Sequence, residues 1–159
     1  MIRETLKMRA KSLSQAATLY EDDFAAWASE TARLLREGRF GEIDVEHVAE
    51  EIEGMANRDK RELMSRLRIQ VLHLLKWQHQ PEKRSRSWRA TIVSQRAELA
   101  DLLEQSPSLK RAVSELAVRG YRDAVEQASA ETGLSADSFP GECPFSPAQL
   151  LDRRFLPGR

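Results

Sequence analysis

From Val48 to Leu75 the apolar residues return every three or four positions: Val48, Ile52, Met55 and Ala56, then Leu63, Leu67, Val71, Leu74 and Leu75. That spacing keeps one stripe on one side of an α-helix and does not fit a strand, whose side chains alternate faces at every residue. Asp44 is placed to cap the helix, with Glu46 at the positive end of its dipole. The pattern persists to about Gln78 and stops at Gln80-Pro81, because proline disfavours the helical conformation of the residue before it and cannot donate to the ladder. A straight helix of this length would extend about 50 Å, against a radius of gyration of about 15 Å for a compact domain of this size. The sequence therefore predicts a bend or split at 54–59, where Gly54 and Asn57 are weak helix formers and the stripe lapses.

The same reading finds three more helices. Asp22 or Asp23 caps a stripe of Phe24, Trp27, Ala28, Thr31, Leu34 and Leu35 that ends at Gly38. Ser85 or Ser87 caps a stripe of Trp88, Ile92, Gln95, Leu99, Leu102 and Leu103. Ser106-Pro107 restarts a helix that buries Leu109, Val113, Leu116, Tyr121 and Ala128 and stops at Gly133, with Ala117, Gly120 and Ala124 predicting a close helix–helix approach. The tail from Leu134 holds Phe139, Phe145 and Phe155 among Pro140, Pro144, Pro147 and Pro157, with one short helical turn begun by Ser146-Pro147. A solvated tail has no need of three phenylalanines, so it reads as a strap anchored over the bundle. No segment sustains the alternation of a strand. The expectation is an all-α bundle of four main helices, the second long and bent or split, with a C-terminal Phe/Pro-rich strap. Residues 1–18 read as an N-terminal arm and 19–159 as a single helical domain.

Charge is segregated beneath a formal net charge of zero. Residues 1–20 carry a net +3, 21–57 a net −8, 58–96 a net +8 and 97–159 a net −3. Either the acidic and basic blocks neutralise one another across a packing interface, or the basic block stays open to an anion or nucleic acid. The densest apolar stretch, Val71 to Trp77, contains His73 and Lys76 and falls far short of the roughly 20 residues a membrane span needs. With Cys143 as the only cysteine, an internal disulfide and an all-cysteine zinc site are excluded. No signal-peptide core follows Met1, so the expected compartment is the cytoplasm.

Little in the sequence speaks for catalysis. A di-iron carboxylate bundle needs two Glu-x-x-His pairs, but His73 is preceded at that spacing by Gln70, His79 by Lys76 and His47 by Asp44, whose expected role is capping. His73 reads as a core-edge histidine bonded to a neighbour. There is no glycine-rich phosphate loop, and no base lies near Cys143 in sequence. The most unusual local feature is the run from Arg84 to Arg89, because arginines at a helix N-terminus oppose its dipole while the free N–H groups there attract anions. Arg84, Arg86 and Arg89, with Trp88 as a stacking face, make one candidate site. Pairing of those arginines with Glu50, Glu51 or Glu53 is the favoured alternative, so the candidate binding residues are Arg84, Arg86, Trp88, Arg89, Glu50 and Glu53. Catalytic residues, metal ligands and cofactors: none are assigned.

Several segments, in order, resemble a bacterial family called domain of unknown function twenty-nine. They are Leu19-Tyr20-Glu21-Asp22-Asp23-Phe24-Ala25-Ala26-Trp27, Val48-Ala49-Glu50-Glu51-Ile52-Glu53-Gly54-Met55 and Leu72-His73-Leu74-Leu75-Lys76-Trp77-Gln78. Arg84-Ser85-Arg86-Ser87-Trp88, Ser106-Pro107-Ser108-Leu109 and Phe139-Pro140-Gly141-Glu142-Cys143-Pro144-Phe145 continue the series, which Leu150-Leu151-Asp152 and Phe155-Leu156-Pro157 complete. The resemblance covers 19–157. It implies an all-helical fold and brings no activity or catalytic residue. The functional expectation is a small cytosolic interaction or regulatory domain without catalysis, acting on a protein partner. A homo-oligomer is compatible with it, and no membrane is implied. The alternative is an anion- or nucleic-acid-binding module using the basic surface of residues 58–89, although a sequence pI near 6.9 disfavours general nucleic-acid affinity.

Overall fold

The structure, a computed structural model, describes residues 18–158. The expected arm, 1–18, lies outside the described residues except for Thr18. The chain divides into two compact units, Met1–Ala56 and Asn57–Arg159, where the sequence reading runs one domain through 19–159. All regular elements among the described residues are helical.

In the first unit, residues 18–22 are helical and α1 spans Phe24–Arg36. Asp23 caps α1, its carboxylate accepting from the Ala26 N–H at 3.0 Å. The helix closes in a Schellman motif: the Gly38 N–H donates to the Leu35 carbonyl and the Arg39 N–H to that of Leu34, with Gly38 at φ +70°. Trp27, Thr31 and Leu34 are buried as the stripe predicts, whereas Phe24 and Leu35 are exposed. Tyr20 joins the start of α2 (Val45–His79) by donating to Glu51 Oε1 at 2.7 Å and stacking on the His47 ring at 4.1 Å. His47 Nδ1 lies 2.8 Å from Asp44 Oδ2; that bond raises the imidazole pKa, while Asp44, partly buried, is held low by the same contact.

Helix α2 is continuous, so no split occurs. The boundary between the units falls at Ala56–Asn57, inside the 54–59 segment where the stripe lapses. The stripe is unevenly buried. Ile52 and Met55 are exposed, and burial begins at Leu63.

In the second unit, α2 contributes Leu63, Leu67, Val71, Leu74 and Leu75 to the core. Helix α3 (Arg86–Gln105) adds Ile92, Leu99, Leu102 and Leu103, and α4 (Val113–Thr132) adds Val113, Leu116, Ala117, Tyr121, Ala124 and Ala128. At Gly120 a Cβ would stand 3.6 Å from Arg68 Cβ, so α4 lies close against α2 there, as the small residues predict. Ser85 caps α3 by accepting from the Trp88 N–H at 3.2 Å, and Gly133, at φ +74°, ends α4. Ser106-Pro107 departs from expectation. It opens a 3₁₀ segment, Pro107–Ala112, before α4 begins, and the Ser106 hydroxyl donates to Asp59 Oδ2 at 2.8 Å instead of capping. The tighter 3₁₀ winding keeps the N-terminal proline signal and changes only the hydrogen-bond register.

The strap crosses this core. Phe139, Phe145 and Leu150 are buried, and Tyr121 donates to the Pro140 carbonyl at 2.6 Å. Phe155, expected to be anchored as deeply, is only half-buried, with its edge against Phe145 at 6.1 Å. Ser146 and Gln149 form a capping box at the start of α5 (Pro147–Leu151). At the end of the strap, Gly158 has φ +74°, and a Cβ there would stand 2.9 Å from Arg84 Nη2. Gly158→Ala should therefore lose about 1–2 kcal/mol from the left-handed backbone alone, read as a lower melting temperature with an unchanged helical spectrum.

Candidate anion-binding site

Helix α3 places Arg89, Ile92 and Arg96 on one side of its cylinder by steps of three and four. The strap brings Arg153, Arg154 and Leu156 up to that side, and together they line a recess of about 210 Å³. No carboxylate, hydroxyl, thiol or imidazole belongs to the lining. Arg89, Arg153 and Arg154 are exposed, and none forms an ion pair with a described residue.

Arg96 differs from the other three. It is 3% exposed on the buried side of α3. Its Nε donates to the side-chain oxygen of Gln70 at 2.9 Å, in the amide orientation that also lets the Gln70 nitrogen donate to the Ile92 carbonyl at 3.2 Å. Its Nη2 donates to the Gln149 carbonyl at 3.4 Å. Gln70 is itself fully buried on α2, so a neutral amide fixes the guanidinium without neutralising it. Burial lowers the Arg96 pKa and the nearby Asp152 carboxylate opposes that shift; a guanidinium stays charged in either case. Asp152 turns one oxygen to the Arg154 backbone N–H at 2.8 Å.

A second recess, of about 400 Å³, adjoins along α3 and shares Arg96. Ala100, Leu103, Pro107 and Leu151 make it largely apolar, with Glu104 and Lys110 at its edges.

The family described as "Domain of unknown function DUF29" matches residues 19–156, nearly the whole chain. The chain belongs to the DUF29 family. All four arginines of the recess, and Leu156, fall within the match. Comparisons with curated proteins and with solved structures returned no match.

Within this DUF29 domain the residues singled out in the sequence have separate fates. Arg84 is a structural tie: its Nε donates to the Trp77 carbonyl at 2.9 Å, its Nη2 reaches the Pro157 carbonyl at 3.5 Å, and its guanidinium lies over the Trp77 ring at 5.1 Å. Trp88 is half-buried beneath the Lys76 ammonium, 4.4 Å from the ring centroid, so its face is already taken. Arg86 is exposed at the first position of α3, without an ion pair to a described residue. Glu50 and Glu53 are exposed on α2 in the first unit. Only Arg89 enters the recess. Arg96, Arg153 and Arg154 were not singled out. The signal for Arg96 was a charged residue four positions after Ile92 on an apolar stripe; for Arg153 and Arg154 it was an adjacent pair in the strap.

The histidines also go to separate partners. His73 Nδ1 donates to the Ile69 carbonyl at 3.0 Å, in keeping with a core-edge histidine, and His79 packs edge-on to Phe139. Among the described residues no group of three or more His, Cys, Asp or Glu is arranged to hold a metal ion, and no helix is long and apolar enough to cross a membrane.

Proposed function

We propose that this DUF29 domain is a non-catalytic binding module whose recess on α3 holds a phosphate-type anion. The observation that carries this reading is the lining: four arginines, one of them buried, around a single recess whose lining holds no carboxylate. A buried cation without a charged partner is costly. An incoming phosphate supplies the missing charge and matches the planar fork of arginine with paired hydrogen bonds. Aliphatic walls from Ile92 and Leu156 limit water and strengthen those bonds. A lining without nucleophile or base supports binding over turnover. This reading joins the two functions raised by the sequence, an interaction domain and an anion module, and moves the anion site from the start of α3 to its middle. The reducing cytoplasm is the compartment we assign, since one cysteine offers no disulfide.

The test is thermal. Inorganic phosphate at ten times its dissociation constant should stabilise the protein by about 1.4 kcal/mol, or raise its melting temperature by about 3–6 °C, relative to chloride at matched ionic strength. Arg153→Gln with Arg154→Gln, both exposed side chains, should abolish that shift without lowering the starting melting temperature by more than a degree or two. Arg86→Gln, outside the recess, should leave the shift intact. Equal stabilisation by phosphate and chloride would overturn the reading.

A further inference from the structure

Resting on that anion site, we propose that the natural ligand is an extended peptide segment bearing a phosphorylated side chain and, about four residues away, an aliphatic one. The phosphoryl group occupies the arginine recess, and the aliphatic side chain occupies the apolar recess beside it.

Three observations support this. The first is continuity. Arg96 lines both recesses, so they meet at this residue along α3. Their walls are shared as well: α3 supplies Arg89 to Arg96 and then Ala100 and Leu103, while the strap supplies Leu151 on one side and Arg153 to Leu156 on the other. The second is spacing. The midpoints of Arg89–Arg96 and Ala100–Leu103 on α3 are about nine residues apart, or about 14 Å at 1.5 Å per residue. An extended chain advances about 3.3 Å per residue and covers that distance in about four. The third is chemistry. At one end the charged groups are all cations, whereas the other offers apolar surface edged by Glu104 and Lys110, an acceptor and a donor for a peptide backbone.

The same observations set aside two other occupants. Single-stranded nucleic acid is held by aromatic stacking along a cationic groove, yet neither lining holds an aromatic ring, and Glu104 would repel the next phosphate. A lipid headgroup would satisfy the arginines, but its acyl chain would meet the charged edges of the second recess.

The experiment uses the full chain and fluorescent peptides in which phosphoserine and leucine are separated by two to five alanines. The expected result is a spacing optimum near three alanines. At that spacing, binding should be at least tenfold tighter than for the unphosphorylated peptide and about tenfold tighter than for the same phosphopeptide with leucine replaced by asparagine. Arg153→Glu with Arg154→Glu should remove the dependence on phosphorylation. Ala100→Phe, at a half-exposed helical position, should fill the apolar recess and remove the leucine preference while leaving the phosphate-induced melting shift. If phosphate raises the melting temperature but no spacing or leucine preference appears, the peptide proposal fails and the anion site stands. If phosphate itself gives no selective shift, both fail. Tighter binding of an oligothymidine or of phosphatidylglycerol vesicles than of every phosphopeptide would overturn the proposal in favour of that ligand class.

Discussion

A chain ending at Asp137 should be largely unfolded at room temperature, and the part that remains folded should bind a hydrophobic dye. The truncation removes Phe139, Phe145 and Leu150, which are 5%, 7% and 0% exposed. Burial of each is worth about 1.5–3 kcal/mol, so the three together contribute about 5–9 kcal/mol. Whole domains are stable by only about 5–15 kcal/mol. The loss extends beyond area. Tyr121, whose pKa burial pushes up to about 12, would lose the Pro140 carbonyl that accepts its proton, and Arg84 would lose that of Pro157. Denaturant melts followed by circular dichroism measure the effect. A truncated chain with the melting temperature of the parent would show the strap to be an appendage.

That dependence explains what the sequence could and could not disclose. Helices are local objects, and their signals are local: Asp23, Ser85, Gly133 and the Ser146-Pro147 pair sit where the hydrogen bonds place them. Ser106-Pro107 misled because proline at a helix start is equally at home in α and 3₁₀ windings. Which part of a stripe is buried is not a local property. Ile52 and Leu67 look equivalent in spacing, yet one is exposed and the other fully buried, because packing partners decide. The recess is less local still. Arg89 and Arg96 share a face of α3, but Arg153 and Arg154 reach it only through the path of the strap, which no periodicity encodes. Counting arginines drew attention to 84–89, where two of the most conspicuous residues serve structure: Arg84 ties the strap and Trp88 lies under Lys76.

Glu131→Gln should lower stability by about 3 kcal/mol, the low end of the range for breaking a buried ion pair. The Lys76 side chain is 6% exposed, and its Nζ lies 2.5 Å from Glu131 Oε2 and over the Trp88 ring. Removing the carboxylate strands that ammonium. The low end applies because Glu131 retains 38% exposure, so water can reach the vacated side. Replacing Lys76 with Met in the same chain should recover most of the loss, since no buried charge remains and the methylene packing is kept. A pH series separates this pair from its neighbour His73. Lys76 holds the Glu131 pKa below its usual 4.5, so the contribution of the carboxylate is full above pH 4.5 and is lost as pH falls through the lowered value. Burial holds the His73 pKa below 6.5, so its contribution begins to fall at pH 6.5. In the double variant Lys76→Met with Glu131→Gln, the step below pH 4.5 should flatten. The slope beginning at pH 6.5 should persist, because Lys76 and Glu131 act on His73 in opposite senses and the larger cause, burial, remains. A Glu131→Gln protein as stable as the parent from pH 4 to 7 would mean that water already screens the Lys76 ammonium, and that the pair contributes nothing to the fold.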